Sequence, residues 1–374
     1  MIMAELKEIP DQLKPSDGRF GSGPSRIPVS TIASLADADL LIGTSHRHAP
    51  VKNLVAQIQE ELRTLYHLPP DYQVVLGNGG STGFWDVASC CLIEQRSAHA
   101  ACGEFGRKFA AAVAAAPFLQ PPLINDVPAG QSALPPFDEA CDAYAWAQNE
   151  TSTGVAMPVF RPSEIDRQAL VLIDATSAAG AMPVNIADTD VYYFAPQKNL
   201  ASDGGLWLAF CSPAALERSA RLTSGDRWVP PTLDLTQAAA NAAKHQTLNT
   251  PAIVTLILLE AQLAWLLDQG GLDFAIARTR ANSQALYDWA EARPFVQPLV
   301  SNPADRSPVV VTLVFDETVD APALTAQLRA NGIVDVEPYR QAGPNQIRVG
   351  CYAATDLADV EALITCLDWL VDRL

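Results

Sequence analysis

The chain predicts an α/β fold built on a parallel or mixed sheet and followed by a smaller α+β domain, and three observations lead there. Short runs rich in β-branched and aromatic residues alternate with stretches of helical periodicity up to residue 265. These runs end in polar or glycine-rich segments: residues 72–76 run into Gly77, 143–147 toward Asn149, 169–173 into Asp174, and 191–195 toward Lys198. In a parallel sheet covered by helices such strand ends line one crevice, where ligands bind. Third, beyond the apolar stretch 252–267 the order changes to helix, strand, helix, strand, strand, helix. We expect a large domain over residues 20–265 and a small domain made of residues 1–19 and 266–374.

Taken in order, Asp17 to Ser25 is a loop rich in glycine and proline, and Thr44 to Pro50 is a second loop. Val51, Leu54, Val55, Ile58, Leu62 and Leu65 then recur at helical spacing. A strand at 72–76 enters the glycine loop Gly77-Asn78-Gly79-Gly80-Ser81-Thr82-Gly83, after which residues 84–94 read as helix. An alanine-rich helix (105–116), a proline-rich connector (117–136) and a strand (143–147) follow. Residues 169–173 form an apolar strand that stops at Asp174. The run Val191-Tyr192-Tyr193-Phe194-Ala195 is a further strand, ended by Pro196, which lacks an N–H. Asp203-Gly204-Gly205 reverses the chain into the apolar run 206–210. Helix 274–293, strand 308–315, helix 321–331, strands 333–337 and 346–352 and helix 356–374 complete the chain.

Composition narrows the function classes. Lys+Arg 25 against Asp+Glu 42 gives a net charge of −17, a field that opposes nucleic acid and acidic membrane surfaces, so an anionic substrate needs a local cationic pocket. Seven cysteines without a Cys-x-x-Cys pair suggest neither a disulfide framework nor a metal site, and a reducing cytoplasm fits best. Residues 1–14 carry no apolar signal core. The stretch 252–267 is interrupted by Glu260 and Gln262 and is shorter than the roughly 20 apolar residues a membrane span needs, so it reads as a buried helix.

Lys198, on the rim of an apolar sheet, is the first candidate for chemistry. Burial lowers a lysine pKa, which suits attack on a carbonyl; a solvated rim lysine is the alternative. Asp174 lies 24 residues earlier, also at a strand end. A pyridoxal 5′-phosphate enzyme uses such a pair, lysine to hold the cofactor and aspartate to keep its pyridine nitrogen protonated; a turn-capping aspartate is the alternative. The glycine loop matches neither the dinucleotide fingerprint nor the P-loop, but small and hydroxyl residues at a helix N-terminus suit an anion. His46, Arg47 and Arg348 offer anion contacts, although strand alternation also allows Arg348 a solvated face. Asn249-Thr250-Pro251 is either a helix cap or a set of phosphate ligands.

Seven motifs, in order, resemble the phosphoserine aminotransferase family in a bacterial branch of it: Gly-Ser-Gly-Pro-Ser, Ser-His-Arg, Gly-Asn-Gly-Gly-Ser-Thr-Gly-Phe-Trp, Asn-Glu-Thr-Ser-Thr-Gly, Ile-Asp-Ala-Thr-Ser, Phe-Ala-Pro-Gln-Lys-Asn and Leu-Asn-Thr-Pro. The resemblance runs from about Ile9 to the C-terminus. It implies a pyridoxal-phosphate-dependent transferase of fold type I, with a mostly parallel seven-stranded sheet in the large domain, and a homodimer with a shared active site. It further implies that Lys198 carries the cofactor, Asp174 faces its ring nitrogen, and Thr151 bonds its phenolic oxygen. Gly80, Ser81, Thr82 and Gln197 would hold its phosphate, Asn249 and Thr250 would complete that site from the neighbouring subunit, and Phe105 would cover the ring. For substrate it points to Arg348 at the α-carboxylate and to His46, Arg47 and Arg340 at the phosphate, with no metal.

The implied reaction is reversible amino transfer from L-glutamate to 3-phosphohydroxypyruvate, on the way to serine, with 4-phosphohydroxythreonine as a further substrate in some relatives. Two positions depart from many relatives: Ser81-Thr82 stands where an arginine is common, and Phe105 where a tryptophan is. Two alternatives remain at this level. One is another aminotransferase of the class, such as alanine:glyoxylate; the other is a non-catalytic anion-binding protein, which has no use for Asp174 paired with Lys198.

Overall fold

The computed structural model describes residues 6–38, 41–343 and 345–374; the first five residues of the expected small domain lie outside them. The chain runs through α1 (Val29–Asp37), α2 (Ala49–Tyr66), β1 (Gln73–Asn78), α3 (Ser81–Cys91), β2 (Ser97–Ala101), α4 (Glu104–Ala115), β3 (Leu123–Asp126) and β4 (Ala143–Ala147). It continues with the two-residue strands β5 (Asn149–Glu150) and β6 (Val155–Ala156), then β7 (Leu170–Asp174), β8 (Val191–Phe194), β9 (Leu206–Cys211), α5 (Pro213–Thr223), α6 (Leu235–Ala242) and α7 (Ile253–Asp268). The last elements are α8 (Gly271–Glu291), β10 (Val296–Pro298), β11 (Val310–Phe315), α9 (Ala321–Ala330), β12 (Gln346–Gly350) and α10 (Leu357–Val371).

A seven-stranded sheet, in the order β1-β9-β8-β7-β4-β2-β3, forms the centre, and β9 runs against the other six. The mostly parallel seven-stranded sheet of the expected fold is therefore present. Alternate residues of each strand enter two different cores. Val171, Ile173, Tyr192, Phe194, Leu208 and Phe210 pack toward α2 and α7. Leu170, Leu172, Val191, Tyr193, Trp207 and Ala209 pack toward α3 and α4 on the other face. Two covered faces explain why these strands read as unbroken apolar runs rather than alternating ones. A third cluster joins Ile9 and Phe20 to α8, α9, α10 and the antiparallel sheet β10-β11-β12.

Several expectations need correction. Helix α3 starts at Ser81, not at residue 84, because Gly80 already sits in extended backbone as the cap, so Ser81 and Thr82 belong to the first helical turn. The expected strand at 333–337 is only a bridge between Arg19 and Val334, since Asp335 takes a left-handed φ of 65° that interrupts an extended ladder. Strands β2 and β3 were not anticipated. Ser97-Ala98-His99-Ala100-Ala101 has little β-propensity and is a strand because it is fully buried and paired on both sides, by β4 and β3, and β3 lies inside the proline-rich connector. All seven cysteines are unpaired and buried. Among the described residues no single helix is long and apolar enough to cross a membrane.

Candidate active site

Because β9 opposes both β8 and β1, the carboxyl ends of β1, β8, β7 and β4 share one edge of the sheet. The polar segments after these four strands line a cavity of about 290 Å³, joined by Gly23, Phe105, Tyr339 and Arg348. Lys198 follows β8 and is only 6% exposed. Its backbone is held by Ser25, whose hydroxyl donates to the Lys198 carbonyl at 2.7 Å while its N–H donates to the Gln197 carbonyl at 2.8 Å. The side chain runs past Gly23, where a Cβ would lie 3.0 Å from Lys198 Cε. Nζ donates to Thr151 Oγ1 at 2.7 Å and lies 5.2 Å from the centre of the Phe105 ring. Burial lowers the Lys198 pKa to about 8; Asp174 opposes that shift, Arg348 adds to it and Glu150 opposes it. The solvated rim lysine is thus excluded.

Asp174 ends β7 with its carboxylate inside the same cavity. Its Oδ1 accepts from the Thr176 N–H at 2.9 Å and hydroxyl at 2.5 Å, so part of the turn-capping role is real. Its Oδ2 accepts from the Tyr193 hydroxyl at 3.2 Å and from Trp85 Nε1 at 3.4 Å, on the apolar side. Thr176 also lies 2.5 Å from the Ser81 hydroxyl, linking the aspartate to the glycine loop. Gly80, Ser81 and Thr82 line the cavity at the start of α3, and no side chain caps that helix. At Gly80 a Cβ would meet nothing within 4 Å. The result is an open space facing free N–H groups and the positive end of a helix dipole.

Arg348 reaches the cavity from β12, and its Nη1 donates to the Thr151 carbonyl at 2.9 Å. Its Nε is buried without an acceptor and its guanidinium lies 5.4 Å from the Tyr339 ring centre. The solvated face that alternation allowed is therefore not where this side chain goes. Burial lowers the Arg348 pKa, with Tyr352, Tyr339 and Glu150 opposing; a guanidinium stays charged nonetheless.

The structure brings Gly80, Ser81, Thr82, Phe105, Thr151, Asp174, Gln197, Lys198 and Arg348 around this cavity. It does not bring His46, Arg47, Asn249 or Thr250 there. Those four form a second patch, in which His46 Nδ1 lies 3.1 Å from Thr250 Oγ1 and Arg47 Nη2 donates to the Leu248 carbonyl at 2.9 Å. Arg47 also bonds Gln246 and Asn241. His46 Nε2 is buried with no partner, and burial followed by the Arg47 charge lowers the His46 pKa. Arg340 is exposed and makes no hydrogen bond or ion pair among the described residues, whereas its neighbour Tyr339 lines the cavity. Trp85, Thr176, Tyr193 and Tyr339 were not singled out from sequence. Trp85 follows Ser81 by four residues, so helical periodicity would have put the two on one face had α3 been started at Ser81.

The class-V aminotransferase family matches residues 22–363. A phosphoserine aminotransferase of Nocardioides sp. is 51% identical over 374 residues, and a Mycolicibacterium vanbaalenii protein provisionally given the same name is 55% identical over 372 residues, each match covering 100% of both chains. The crystal structure of a phosphoserine aminotransferase from Cytophaga hutchinsonii superposes with a TM-score of 0.85 at 20% identity, covering 94% of this chain and 99% of that one. The pyridoxal-phosphate-bound phosphoserine aminotransferase of Trichomonas vaginalis does so with a TM-score of 0.79 at 19% identity, over 94% and 99%.

Proposed function

The chain belongs to the class-V aminotransferase family, and from that membership we propose that it is a pyridoxal-phosphate-dependent enzyme catalysing reversible transfer of the amino group of L-glutamate to 3-phosphohydroxypyruvate, giving O-phospho-L-serine and 2-oxoglutarate. The single observation that carries the reading is full-length identity of 51% to a phosphoserine aminotransferase.

The cavity fits the cofactor on its own terms: an uncapped helix start, a buried amine and a buried carboxylate line one space. Gly80, Ser81, Thr82 and Gln197 would take the phosphate, Asp174 the ring nitrogen, Thr151 the phenolic oxygen and Phe105 one ring face. When bound, pyridoxal 5′-phosphate supplies an electron sink for the bonds at the substrate Cα. Lys198 Nζ, whose pKa burial lowers to about 8 in the cofactor-free protein, would take the proton from the substrate Cα and deliver one to the cofactor carbon C4′. Thr151 keeps Nζ oriented. The unpartnered Nε of Arg348 is a buried donor awaiting an acceptor, which the substrate α-carboxylate supplies.

The substrate phosphate is assigned to His46 and Arg47 of a second copy, and the cofactor phosphate is completed by Asn249 and Thr250 of that copy. Support comes from the position of these four residues outside the lining of their own cavity, with His46 against Thr250 and Arg47 against the Leu248 carbonyl. Arg340 is the weaker candidate for the same phosphate. We also assign residues 20–265 to cofactor binding and residues 1–19 with 266–374 to the smaller domain; a cluster of its own on α8, α9, α10 and the three-stranded sheet supports this, while Phe20 on one side and Ala275, Val309, Val310 and Tyr352 on the other pack across the boundary.

Comparison of 3-phosphohydroxypyruvate with unphosphorylated hydroxypyruvate tests the substrate. A preference of at least about 100-fold in kcat/KM for the phosphorylated form is expected for a site built to pair with a dianion. Equal values for both would favour the alanine:glyoxylate type of reaction instead.

A further inference from the structure

Glu150 is 1% exposed and lies one residue before Thr151, yet the chemistry above makes no use of it. Its carboxylate faces the start of α4. Oε1 accepts from the Phe105 N–H at 3.3 Å, the Ser152 N–H at 3.2 Å and the Ser152 hydroxyl at 2.6 Å, and Oε2 accepts from the Gly106 N–H at 3.1 Å. Ser152 Oγ in turn accepts from the Glu104 N–H at 2.9 Å. Three successive N–H groups of the first turn of α4 are thus satisfied by residues more than 40 positions away, and no local side chain caps the helix. Gly103 makes the approach possible: a Cβ there would lie 2.4 Å from Ser152 Oγ and 2.5 Å from Glu150 Cγ.

We propose that Glu150 is a positioning residue which, by capping α4 across the fold, holds the Phe105 ring against the cofactor. The proposal rests on the assignment of Phe105 as the ring cover. Four observations support it. Every group within reach of the carboxylate is a donor, so the ionised form is the one that fits, although burial pushes its pKa upward against the pull of those bonds. A negative charge at a helix N-terminus is favoured by the dipole. Phe105 is the second residue of that helix and its own N–H is one of the bonds, so the cap fixes the backbone from which the ring projects. Finally, the segment that supplies the cap also supplies Thr151, whose hydroxyl accepts from Lys198 and whose carbonyl accepts from Arg348. The ring cover, the lysine and the substrate arginine are therefore set from one short stretch, and Glu150 is the residue that ties α4 to it.

The test is a double-mutant cycle on the cofactor-loaded protein, read by visible-region circular dichroism of the bound cofactor and by its dissociation constant. Glu150→Gln preserves volume but turns an amide NH2 toward N–H donors. We expect a weakened dichroic band and a dissociation constant raised about tenfold, as for a weakened charged hydrogen bond. In a Phe105→Ala background the same change should alter the constant by less than about twofold, because its route of action is gone. Ser152→Ala, a milder cut in the same cap, serves if Glu150→Gln does not fold and should show the same coupling. Wild-type dichroism and affinity in these cap variants, or an undiminished loss in the Phe105→Ala background, would overturn the role of Glu150 alone. Phe105→Ala without any effect on the band would overturn the assignment of Phe105 and this proposal together.

Discussion

Lys198 shows how one residue acquires chemistry from its surroundings. Its folded pKa of about 8 lies below the ordinary 10.5 because burial penalises the ammonium form. Between those two values the unfolded chain still holds a proton that the folded chain has released, so stability of the cofactor-free protein rises with pH across that window. Relative to Lys198→Met, the wild type should gain on the order of 3 kcal/mol at most from pH 8 to above 10.5, measured by chemical denaturation. Lys198→Ala should abolish turnover while the protein remains folded. Asp174 is held in a different way, by donors on both oxygens. Tyr193→Phe removes the shorter of the two donors on Oδ2 and leaves Trp85 at 3.4 Å. Cofactor affinity should fall several-fold by equilibrium dialysis, and an unchanged affinity would show that Asp174 does not depend on this bond.

At the scale of elements, the junction of β1 with α3 separates folding from binding within four residues. At Gly77 a Cβ would lie 2.4 Å from the Trp207 ring, and Trp207 is 3% exposed and has nowhere to go. Gly77→Ala should therefore cost about 1–3 kcal/mol by overpacking, measured as a shift in the denaturation midpoint. Gly80 is the opposite case, with ordinary extended backbone and open space where its side chain would be. Gly80→Ala should lower the stability of the cofactor-free protein by less than about 1 kcal/mol yet weaken pyridoxal phosphate binding, since the methyl group enters the space assigned to the phosphate. Equal damage from both substitutions would remove the distinction.

For the whole molecule, a chain of net charge −17 that acts on anionic substrates must concentrate its few cations. Two of the places bear on substrate, Lys198 with Arg348 in the cavity and Arg47, beside His46, on the separate patch. If two copies bring these together, coexpression of Lys198→Ala with Arg47→Ala should recover activity that neither variant has alone, because the mixed dimer contains one site with both residues intact. No recovery, with mixed dimers verified by mass, would show that the two patches do not meet.

The sequence by itself determined the α/β alternation, the strand ends that carry Thr151, Asp174 and Lys198, and the family. These follow from local pattern: a strand covered on both faces must be apolar along its length, and where it stops, polar residues begin. Tertiary structure alone decided what such patterns do not encode. Burial and pairing with a strand on either side make a strand of Ser97–Ala101 despite its alanines. The turn at Asp335 leaves 333–337 as a bridge, and the path of β12 sends Arg348 into the cavity rather than to solvent. It also brought Trp85 and Tyr193 to Asp174 and Glu150 to α4, contacts between elements 19 to 108 residues apart in the chain. Such pairings depend on how layers pack, and packing is a property of surfaces assembled from distant segments, which local periodicity does not record.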